Sequence, residues 1–197
     1  MENKWFYELT RFVNLTRCYW MIVILAVPIS MRCFPEQKSL TEDEKLRELR
    51  MIVEDAHIQQ TDPDQVVKAI NELGRIGNST SIEILVKLLT FRRPLYEPND
   101  GTYTEIHVVT LGYIYPAVDA LAAIWESSFP AMIKVIETHE SNSLEAKNAV
   151  EVIKFLSRDY PPAYYGRLRE AAAKASTHKV ADRLLKAASI IKEFYSF

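Results

Sequence analysis

Glycine is scarce in this 197-residue chain, with five residues in all. An all-β fold needs left-handed turn residues at its hairpins, and a phosphate-cradling loop needs several glycines together, so both are disfavoured. Cysteine is scarcer still. Cys18 and Cys33 are the only two and lie in or beside an apolar run near the N-terminus, so no disulfide framework or zinc site can be built in the rest of the chain. His57, His107, His139 and His178 stand far apart, with no i, i+4 pair and no His-Glu-x-x-His pattern. No Gly-x-Ser-x-Gly occurs either. These absences leave no catalytic residue, metal ligand or cofactor to expect, and the chain reads as non-catalytic.

A strong charge of one sign is also lacking. The formal net charge is −2, but four Lys/Arg against two acids fall before Cys33, so the remainder carries 20 against 24, or −4. A mildly acidic body is a poor binder of phosphate backbones, and no nucleic-acid partner is expected. Lys147, Lys154, Arg158, Arg167, Arg169 and Lys174 are interleaved with Glu145, Glu151, Asp159 and Glu170, which suits a mixed solvated surface better than a basic groove.

One apolar run is present. Residues 18–31 read CYWMIVILAVPISM, flanked by Arg17 and Arg32. As a helix this run reaches about 21 Å, short of the roughly 30 Å hydrocarbon core. That length suits the hydrophobic region of a signal peptide, with Pro28 as a helix breaker near a processing site. The preceding region nevertheless contains Glu2 and Glu8, only Ile24 and Ala26 offer recognition positions, and Arg32 before Cys33 spoils a lipoprotein box. Residues 1–35 are therefore read as a signal peptide or membrane anchor, with export or a tether through 18–31 the expectation. If the run is instead a short buried helix, the chain is cytoplasmic. Asn14-Leu15-Thr16 and Asn78-Ser79-Thr80 match the glycosylation pattern, the second being better read as a helix start.

From residue 40 to 197 the text is helical. Thr41 and Glu44 form a capping box ahead of Leu46, Leu49, Ile52, Val53 and Ala56. Residues 57–61 then lead to Asp62-Pro63, a cap followed by a proline where no amide donor is needed. The helix that follows carries Val66, Ala69, Ile70 and Leu73, stops at Gly74 to Gly77, and is succeeded by a second helix through Ile82, Leu85 and Leu89. Its apolar face recurs as Ala117-Ala120-Leu121-Ile124, Ala146-Ala149-Val150-Ile153 and Leu184-Ala187-Ala188-Ile191, at offsets of 51, 29 and 38 residues. Alanine stands at i+3 each time, where a small side chain lets stacked helices approach closely. Further helices start at Ser128-Phe129-Pro130, Ser143, Pro161-Pro162 and Thr177.

The Asp-Pro start, the Ala-Ile-x-x-Leu core at Ala69 to Leu73, its echo Ala-Leu-x-x-Ile at Ala120 to Ile124, and the short turn with Gly77 resemble the HEAT-repeat group of α-solenoids, as in bacterial HEAT-repeat domain proteins. The resemblance covers roughly 62–191. The chain departs from that pattern in lacking a recurrent turn Asp and second-helix Arg. The resemblance implies an all-α fold, an α-solenoid of stacked antiparallel helix hairpins, with a protein-binding or scaffold role. It also brings a second reading, a HEAT-like enzyme or ligand handler such as a lyase or a nucleic-acid-acting protein. A third is a structural membrane-associated subunit.

The insertion at 91–110 breaks the helical text with a Pro-Asn-Asp-Gly turn and an alternating β-branched run, which predicts a β-hairpin or ordered loop. Long connections in compact domains often carry binding. Arg92, Arg93, Tyr96, Tyr103, His107, Tyr113 and Tyr115 supply the donors and flat rings that anchor interfaces, so they are the candidate residues for a protein or peptide partner. The competing expectation is that the loop packs over the hydrophobic edge between repeats, with Arg92 paired to Glu97 or Glu105.

Overall fold

Each helix starts where a side chain can satisfy the amides that a first turn leaves open. In the computed structural model, which describes residues 41–94 and 111–196, Thr41 caps α1 (Glu42–Glu54) through a complete capping box with Glu44. The apolar run at 18–31 lies outside the described residues. Asp55 accepts from the amides of His57 and Ile58 and so starts a short α2 (Ala56–Thr61) in a stretch expected to be a lead-in. Ala56 consequently leaves the apolar face of α1 and is exposed. Asp62 caps α3 (Pro63–Ile76), with Pro63 in the first turn, and Gly77 ends it at φ 64, a left-handed angle that only glycine adopts without penalty. Asn78 caps α4 (Ser79–Lys87), which starts at Ser79 as expected.

Beyond the insertion come α5 (Leu111–Ile114), α6 (Pro116–Ala123), a 3-10 turn at Trp125–Ser128, α7 (Phe129–Thr138), α8 (Leu144–Leu156), α9 (Pro161–Ala173) and α10 (His178–Tyr195). Ser143 and Thr177 cap α8 and α10 through their hydroxyls. The described residues are thus all-α, with no strand among them. None of the described helices is long and apolar enough to cross a membrane.

The recurrent apolar face is the buried one. In the copies on α3, α8 and α10 all four residues are buried, and on α6 only Ile124 is partly open. Side chains of this size contribute about 1.5 to 3 kcal/mol each on burial. α1, α3, α6 and α8 are successive neighbours, and α4, α7 and α10 form a second such series. The first three copies share one series, but the fourth lies on α10 in the other, while α9 packs chiefly on α10. The pattern marks any helix with a close neighbour, so it fixes burial without fixing the series. Where α3 meets α6 the backbones are tight: a Cβ on Gly74 would stand 3.0 Å from that of Ala120.

Candidate functional site

The insertion leaves α4 through a hydrogen-bonded exit. Leu89 is fully buried, and its carbonyl, which could not reach water, accepts from Asn148 Nδ2 at 2.6 Å; Asn148, on α8, is only 2% exposed. The excursion closes on itself four residues later. The Arg93 amide donates to the Ile114 carbonyl at 2.9 Å, so the two ends of the insertion meet. The Arg93 guanidinium is fixed twice more, by Asp64 of α3 at 2.8 Å and by the Tyr113 ring 4.7 Å from its centre. Its Nε is buried without a hydrogen-bond partner among the described residues.

Of the residues singled out from sequence, Arg93 and Tyr113 are therefore brought together. Arg92 is exposed at the exit of α4, Tyr113 is 47% exposed, and Tyr115 is half-buried against the core just before α6. Tyr96, Tyr103 and His107, together with the expected hairpin and the Arg92 pairing with Glu97 or Glu105, lie outside the described residues. At this stem the ion pair among the described residues is made by Arg93 with Asp64 of α3.

Beside this stem runs an open groove of about 500 Å³ lined by Asn71, Gly74 and Arg75 of α3 and by Asp119, Ala120 and Ala123 of α6. The small residues make its floor low enough for another backbone to approach. Arg75 pairs with Glu72 of its own helix. Asp119 is exposed as a residue and has no cation or hydrogen-bond donor among the described residues, and partial loss of water where its carboxyl meets Gly112 raises it above the usual aspartate range. It rests against the bare backbone of Gly112, where a Cβ would fall 1.8 Å from Oδ1. The groove can accept a cation or N–H donors from a ligand. Its described lining holds one carboxyl, no histidine and no second acid, so it lacks an acid–base pair. No group of His, Cys, Asp and Glu fit to hold a metal ion occurs among the described residues.

Sequence reasoning missed Asn71, Gly112, Asp119 and Asn148. Asp119 lies in the first turn of α6, and only the packing of α5 and α6 sets it against Gly112. The bases of the expected mixed surface are interleaved in space as well: Lys154 pairs with Glu151 at 2.8 Å, Arg167 with Glu126 at 2.6 Å and Lys174 with Glu170 at 2.6 Å. Compared with known proteins, the chain matches no family model, and no curated protein or solved structure shows significant similarity to it.

Proposed function

We propose that this chain is a non-catalytic protein–protein interaction module, a short HEAT-like α-solenoid that offers its insertion and the adjoining α3–α6 groove to a protein or peptide partner. The observation that carries the reading is the stem. Arg93 ties both ends of the insertion together and to α3, so the loop between them can engage a partner without disturbing the helices. Tyr96, Tyr103 and His107, with Arg92 and Tyr113 at the base, are the residues we assign to the contact. The few residues that dominate an interface are enriched in large rings and guanidinium groups of this kind and cost about 2 kcal/mol or more when truncated. The enzyme or ligand-handling reading would rest on Asp119 alone, a raised carboxyl in a groove.

A short Gly-Ser bridge in place of 95–110 tests the proposal. Because Arg93 and Ile114 are already joined, helicity and melting should stay within a few degrees of the parent while affinity capture of the partner is lost. Retained capture, or a melting temperature that falls by tens of degrees, overturns it. We further propose that residues 18–31 tether or export the module. Fractionation of the full chain followed by N-terminal sequencing decides this, and a soluble chain with its first residues intact rejects it.

A further inference from the structure

Away from the insertion, the C-terminal ends of α8 and α10 enclose a hollow of about 350 Å³, lined by Glu151, Lys154, Phe155, Arg158, Phe194 and Tyr195. None of these residues belongs to the insertion stem or the α3–α6 groove. Phe155 is 42% exposed and Phe194 59% exposed, although the recurrent apolar positions of the same two helices are buried. Rings left in water at the mouth of a hollow are surface that a partner gains by covering.

The wall is held in place. The Tyr195 hydroxyl donates to the Lys154 carbonyl at 2.6 Å, joining α10 to α8. The Phe194 ring stands edge-on to Tyr195 at 4.9 Å, and Lys154 Nζ lies 4.0 Å from the Phe194 ring centre. Lys154 is also paired with Glu151 at 2.8 Å, so these two charges offset each other. Arg158 is exposed and enters no ion pair among the described residues. The lining is thus aromatic, its one carboxylate is taken up by Lys154, and Arg158, with Asp159 next to it in the chain but outside the lining, is the lining charge that enters no ion pair among the described residues.

We propose that this hollow docks an acidic, apolar-anchored peptide segment of a partner protein. One large aromatic or aliphatic side chain enters between Phe155 and Phe194, and an Asp or Glu of the same segment meets Arg158. The volume sits near the lower end of ligand pockets, about 300 to 1,000 Å³, which suits a single anchoring side chain. One free guanidinium is too few for a nucleic-acid backbone, whose binding sums over many phosphate contacts. A second copy of the chain docked symmetrically would present the same cationic patch to itself.

The test is to pan a display library of random peptides on the full chain, with counter-panning on Phe194→Ala and Arg158→Glu. The expected winners place Trp, Phe or Leu within one helical turn of Asp or Glu. A synthetic consensus peptide, followed by fluorescence anisotropy, should bind at least about tenfold more weakly to Phe194→Ala and to Arg158→Ala, which corresponds to about 1.4 kcal/mol. Both side chains are exposed, so unchanged melting curves separate lost docking from lost folding. Binding should survive replacement of 95–110, which keeps this outcome distinct from that of the insertion. Basic winners, or winners retained equally by the variants, overturn the proposal. So does an anilinonaphthalene sulfonate complex of one-to-one stoichiometry with no peptide enriched, since the hollow is then a small-molecule site. Concentration-dependent dimerisation abolished by Phe194→Ala overturns it too, in favour of a second copy.

Discussion

At Asp119 a carboxyl rests in the space that a missing Cβ leaves open. The side chain lies in space that any residue other than glycine at position 112 would occupy, and there it loses water without gaining a partner among the described residues. Its folded pKa is therefore raised, so the folded chain holds this proton more tightly than the unfolded chain does. The site favours folding at pH values below the unfolded pKa, and that advantage is lost as pH rises through the folded value. Removing the carboxyl should thus become progressively more favourable from acid to neutral pH. We expect the melting-temperature difference between Asp119→Asn and the parent to move in the variant's favour along that series. Gly112→Ala should push the carboxyl out toward solvent and return it to the ordinary range, as followed by carboxyl-carbon NMR; an unchanged titration would show that Gly112 does not set it. None of this could be read from the sequence, where an Asp in a first helical turn already has a sufficient electrostatic reason. Trp125 is a similar case, since nothing in its local text announces a bulky residue at φ 64.

For the helices, starts were legible and docking was not. Thr41, Asp62, Ser143 and Thr177 were expected as caps and each accepts a first-turn amide, because that geometry depends only on the next three residues. How α9 attaches depends on a residue on the far side of two loops. Glu126, in the 3-10 turn before α7, accepts from the Tyr164 hydroxyl and from Arg167 at 2.6 Å, and Arg167 also lies 3.9 Å from the Phe129 ring centre. Phe129 and Tyr164 meet edge to face at 5.3 Å. Burial, helped by the Glu126 carboxylate, pushes the Tyr164 hydroxyl up to about 12. Glu126 is in turn lowered, first by the Tyr164 hydrogen bond and then by Arg167. A carboxyl lowered on folding lends stability above its unfolded pKa and loses it as pH falls through the folded value. Glu126→Gln should therefore cost about 1 kcal/mol at neutral pH, a modest figure because the pair is half-exposed, and should flatten the acid limb of stability. Urea titrations at neutral and acid pH measure both. Equal losses at the two would mean that Glu126 acts by packing rather than by charge.

At the scale of the whole molecule, the recurrent alanine register told which faces are buried but not how the helices are ordered. Close approach to any neighbour selects a small residue at i+3, so α10 carries the same mark as α3 while belonging to the other series. Arg93 and Tyr113 were singled out from sequence as partner contacts, and the stem they form with Ile114 and Asp64 was not legible there. The α3–α6 groove and the C-terminal hollow were not either, because their linings come from helices distant in sequence. What the register does predict is cooperativity. Ala149, on α8, is fully buried, and α8 neighbours α6 and α7 within one hydrophobic cluster that runs from Leu46 to Ile191. Ala149→Glu would put a carboxylate there with neither water nor a cation to meet it, a loss on the order of 3 to 5 kcal/mol by analogy with other uncompensated buried charges. That is a large part of the roughly 5 to 15 kcal/mol that holds a domain together. Far-UV circular dichroism and tryptophan fluorescence should then lose structure in one joint transition, tens of degrees lower or already complete at room temperature. Leu144→Glu on the same helix, at a position 38% exposed, should melt close to the parent. If Ala149→Glu instead melts sharply at the parental temperature, that face of α8 is not the buried one and the register is wrong.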